Sequence, residues 1–125
     1  MLHSCAAELP WKALRRGTIS AVSLDVDTLR ADDLDGLGEF VDSGRSVVLG
    51  LVPAVAPARP PSAEELAAAA VAVTDRLGFA RAVLRDRIGI SPACGLAGAT
   101  EAWARSAIGL AQRVAEVMAS EPESV

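Results

Sequence analysis

At 125 residues, 51% apolar and 22% charged, the chain can bury one core and is too hydrophobic to be a disordered tail. Its net charge of -4, without a basic stripe, gives no electrostatic footprint for nucleic acid, and its longest apolar run, Leu66 to Val73, is too short to span a bilayer. Two cysteines make no secreted disulfide framework and no signal peptide is visible, so the expected compartment is the cytoplasm.

Leu2 to Ala6 reads as the end of a strand, whose alternation puts His3 and Cys5 on the same face. Pro10 then opens a short helix, Trp11 to Arg16, that Gly17 ends. Ile19 to Val26 is the next strand. Val22, Leu24 and Val26 share one face, and Ala21, Ser23 and Asp25 the other. Asp32 or Asp33 is expected to cap a helix reaching about Ser43, with Leu34, Leu37 and Val41 inward and Gly44 as its stop. Ser46 to Val52 is a near-continuous apolar run, the pattern of a strand covered on both faces.

A Pro- and Ala-rich loop, Pro53 to Pro61, leads to Ser62-Ala63-Glu64-Glu65, a capping box. The helix it opens runs to Leu77 with a stripe of Leu66, Ala70, Val73 and Leu77, and Gly78 ends it. Phe79 to Arg87 reads as a short helical connector and Arg87 to Ile90 as the last strand. That strand runs through Ser91-Pro92 into a glycine-rich turn presenting Cys94 between Pro92 and Gly95. Thr100 can cap a final helix, Glu101 to Ser120, with Trp103, Ala107, Leu110, Val114 and Val117 as its core face. Residues 121–125 are expected to fray. Trp11 and Trp103 should pack helices onto the sheet, while Arg15, Arg16 and the arginines from Arg81 to Arg87 suit solvated faces.

Strand and helix therefore alternate four times, the order of an α/β fold with a parallel sheet and outer helices. Either a small open sheet or a piece of a (β/α) barrel fits this order.

In a parallel sheet the C-terminal strand ends lie at one edge. His3 and Cys5 end the first strand, Asp25 the second, and Cys94 follows the last. Two thiols, an imidazole and a carboxylate form a plausible tetrahedral zinc set, although the four are scattered and no CxxC occurs. The alternatives are two inert buried thiols, a terminal histidine without a fixed place, and an aspartate that caps the following loop, with Asp27 as its substitute.

His3-Ser4-Cys5, then Ser23-Leu24-Asp25, then Pro92-Ala93-Cys94-Gly95-Leu96 resemble, in order, three motifs of the cobalamin-independent methionine synthase family. Pro61 to Leu66, PSAEEL, is also similar to the family's helix start before its last strand. The short single-barrel members are the nearer likeness. The resemblance implies a (β/α)8 TIM barrel of which this chain holds roughly the last four units. It implies zinc held by His3, Cys5, Asp25 and Cys94, and transfer of a methyl group from an unidentified donor to the thiol of homocysteine, forming methionine. Asp25 stands where the family has a glutamate. Leu51-Val52-Pro53-Ala54 stands where long members read Asp-Ile-His-Ser, so folate specificity is not carried over. A half barrel would leave two strand edges unpaired, so a complementary half, a homodimer or a non-catalytic split-gene product is also expected.

Overall fold

The computed structural model describes residues 1–120; the fraying expected of residues 121–125 lies outside them. Four strands, β1 (Leu2–Ser4), β2 (Ala21–Asp25), β3 (Ser46–Val52) and β4 (Ile88–Pro92), form one all-parallel sheet in the order β1-β2-β3-β4. The connecting helices are α1 (Trp11–Arg16), α2 (Ala31–Asp42), α3 (Ala63–Arg76) and α4 (Ala82–Asp86), and α5 (Glu101–Ser120) follows β4. Right-handed crossovers that always step the same way put the helices on one face of a sheet. The α/β expectation is met.

The core lies on that face. Val22, Leu24, Val47 and Leu49 are completely buried there, along with Leu37 and Phe40 of α2, Ala70 of α3 and Val114 of α5. The opposite face carries the register row His3, Ser23, Val48 and Gly89. β3 is accordingly not covered on both faces as its apolar run suggested, because Val48 stays half-buried.

Local signals hold the helices as read. Ser62 Oγ accepts the Glu65 amide while the Glu65 carboxylate accepts the Ser62 amide, and Thr100 Oγ1 accepts the Trp103 amide. Gly44 and Gly78 follow their helices at φ +92° and +75°, the left-handed conformation that glycine adopts freely. Two details differ from expectation. Arg30 occupies the start of α2, and Asp33 caps it from inside by accepting the Arg30 amide. On α5 the inward residue of the last turn is Met118, whereas Val117 is exposed. Trp103 packs as expected, its Nε1 donating to the Pro53 carbonyl. Trp11 instead joins α1 to α2: its Nε1 donates to Asp33 Oδ1, and its ring occupies the space a side chain at Gly36 would need.

Candidate metal centre

The three soft residues converge at the C-terminal edge of the sheet. β1 ends at Ser4 and releases Cys5, and the turn after β4 brings back Cys94. Ligand atoms of His3, Cys5 and Cys94 all lie within 4.8 Å of one another, and this is the one group of its kind among the described residues. The Cys94 thiol donates to the Cys5 sulfur at 3.4 Å, and both cysteines are exposed.

This meeting is not automatic. Strands sit about 4.8 Å apart, so in a flat sheet β1 and β4 would stand about 14 Å from each other. The turn after Pro92 closes the distance by crossing the open face. Its Ala93 amide donates to the Val52 carbonyl at 2.8 Å. It passes so close to β3 that a Cβ at Gly50 would lie 2.8 Å from Ala93 Cα and 2.6 Å from the Leu24 carbonyl oxygen. Gly50 therefore makes the crossing possible. A glycine inside the otherwise apolar SVVLGLV strand was the signal for it, since such a glycine marks a close backbone approach.

His3 is held from β2. It is paired in register with Ser23, and its Nδ1 lies 3.0 Å from Ser23 Oγ. Alternation puts Ser23 on the same face of its strand as Asp25 and assigns it no role. What was missing was register: sequence alone does not say which residue of β2 stands beside His3.

Asp25 stands at the end of β2 but outside the three-residue cluster. Its Oδ1 accepts the Asp27 amide at 3.0 Å, capping a 3-10 turn over Val26–Thr28. The loop-capping alternative describes this arrangement, and Asp27 contributes its backbone N–H. Asp25 still acts on the site electrostatically. The Cys5 thiol is raised above its ordinary value, first by its hydrogen bond with Cys94 and the charge of that thiol, then by desolvation, with the Asp25 charge adding to the same direction. A metal ion held there would have to displace the thiol protons, because a thiol coordinates as its thiolate.

Beside the cluster runs an open groove of about 470 Å³, lined by His3, Ser23, Ser91, Cys94, Leu96 and Ile108. Its walls are mainly apolar, with the nitrogen and sulfur donors at one side. The hollow between α2 and the end of α3, lined by Leu34, Asp35, Gly38 and Leu77, offers no such donors.

A parallel sheet that gathers an imidazole and two thiols at its C-terminal edge defines an α/β protein with a soft-donor centre. The family model described as cobalamin-independent synthase, catalytic domain, matches residues 1–117, and the chain belongs to that family. No curated protein and no solved structure matches it. Among the described residues, no helix is long and apolar enough to cross a membrane.

Proposed function

We propose that this chain carries the zinc-binding part of an S-methyltransferase that methylates the thiol of homocysteine to form methionine. The observation that carries the reading is the convergence of His3, Cys5 and Cys94 within 4.8 Å, from opposite edges of the sheet, in a chain of this family. The donor set fits the ion. One nitrogen and two sulfurs suit borderline-soft zinc and do not suit the oxygen-seeking cations magnesium and calcium. His3, Cys5 and Cys94 would hold it, with Asp25 as the carboxylate member of the set.

The chemistry supplied by bound zinc is a lowered thiol pKa, which provides a sulfur nucleophile at neutral pH. The chain's own residues arrange the rest. Ser23 holds the imidazole, Gly50 admits the loop that delivers Cys94, and the groove beside them receives a small thiol substrate.

In this reading the sheet is four successive units of a (β/α)8 barrel. β1 and β4 each have one strand neighbour among the described residues. Four further strands would pair with those edges, from the same polypeptide, a complementary chain or a second copy. The cytoplasm, which keeps thiols reduced, is the compartment that suits it.

Zinc stoichiometry on purified protein tests the reading, with wild type beside Cys94→Ser and Asp25→Ala. Near-equimolar zinc is expected in wild type and its loss in Cys94→Ser. Loss in Asp25→Ala makes the aspartate a ligand, and retention limits the set to three. Loaded protein should then form methionine from homocysteine when offered a methyl donor. A folded wild type without zinc removes the autonomous site and favours a non-catalytic half that needs a complement.

A further inference from the structure

Resting on the reading of His3, Cys5 and Cys94 as a metal centre, we infer that Ser23 is a positioning residue. Its hydroxyl accepts the Nδ1–H of His3, which leaves the Nε2 lone pair free to act as the ligand. Ser23 is 5% exposed. A hydroxyl in such a place requires a partner, and the side chain that supplies one is His3 at 3.0 Å.

The need runs the other way as well. His3 is exposed on a three-residue strand, so little besides this bond stops the ring from turning. Histidines that bind metals commonly donate their second ring N–H to a neighbouring acceptor, which fixes both tautomer and orientation. The register of β1 on β2 sets Ser23 in that position before any ion arrives.

The opposite direction of the same hydrogen bond, Ser23 O–H donating to Nδ1, would put the proton on Nε2 and prevent ligation through that atom. The two directions are distinguishable because His3 is the single histidine of the chain. In metal-free, 15N-histidine-labelled protein at a pH where the ring is neutral, long-range 1H–15N correlation should show the Nδ1–H form in wild type. In Ser23→Ala the ring should return to the Nε2–H preference of a free histidine side chain.

Competition with a chromophoric chelator should show zinc held about 10- to 100-fold more weakly by Ser23→Ala, with recovery in Ser23→Thr, which keeps the hydroxyl. An Nε2–H wild type, or equal zinc affinity in wild type and a folded Ser23→Ala, overturns the inference. A wild type in the Nδ1–H form that binds no zinc overturns the reading of the centre on which it rests, and the role of Ser23 there falls with it.

Discussion

At the N-terminal edge of the sheet, Arg45 gathers backbone from three directions. Its Nη2 donates to the Arg15 and Gly17 carbonyls at 2.6 and 3.0 Å, and its Nε to the Ile19 carbonyl at 3.0 Å. Its guanidinium also lies over the Phe40 ring, 5.5 Å from the centroid. Arg87 Nη1 bonds the Gly44 carbonyl beside it. At the C-terminal edge the corresponding positions hold exposed thiols and an imidazole, joined by single contacts. On one edge Arg45 and Arg87 are tied chiefly to backbone carbonyls. The other leaves donors of metal-binding type facing a groove. In parallel α/β sheets chemistry collects at the C-terminal edge, and the N-terminal edge serves stability.

The sharpest way to break that contrast is Arg45→Met. Losing three charge-assisted bonds to carbonyls should cost about 3 kcal/mol in denaturant unfolding, with zinc stoichiometry unchanged under conditions where the variant is folded. Loss of zinc from a folded Arg45→Met would show that the two edges are not separable. Gly50→Ala should cost about 1–3 kcal/mol, because the new methyl meets backbone on both sides. Here zinc should be lost as well, because Ala93 cannot keep its path and Cys94 is carried away from Cys5. Full zinc retention in Gly50→Ala would mean that the loop reaches β1 by another route.

Smaller effects are expected away from both edges. Ser62→Ala removes half of a reciprocal cap and should cost about 1 kcal/mol in thermal or denaturant unfolding, without touching the centre. Its partner Glu65 sets a pH dependence. Arg59 and the Ser62 amide hold the Glu65 carboxyl at about 2, against an ordinary value of 4.5. A carboxyl lowered in the folded state adds stability that is complete above its unfolded value and is lost as pH falls through the folded one. Glu65→Gln should therefore flatten the acid limb of stability between about 4.5 and about 2, as read by unfolding midpoints across that range.

Much of this was legible in the sequence because the deciding forces were local. Alternation separated Val22 and Leu24 from Ser23, the capping box announced α3, and Gly44 and Gly78 marked helix stops that they do make. The motif order singled out His3, Cys5 and Cys94, which the fold brings together. Features that depend on two elements meeting were not legible. The Ser23–His3 bond needs the register of β1 on β2, the role of Gly50 needs the path of a loop about 40 residues later, and Trp11 chose α2 because Gly36 leaves room for its ring. Asp25 is intermediate: its strand-end position was foreseen, and a local hydrogen bond to the Asp27 amide occupies one of its oxygens.

The central claim is that both cysteines and the histidine act on one ion. Zinc X-ray absorption of the loaded protein tests it most directly. Two sulfur neighbours at about 2.3 Å and at least one nitrogen at about 2.0 Å are predicted, falling to one sulfur in Cys5→Ser. A shell of oxygen and nitrogen alone, or a sulfur count unchanged in Cys5→Ser, would contradict it.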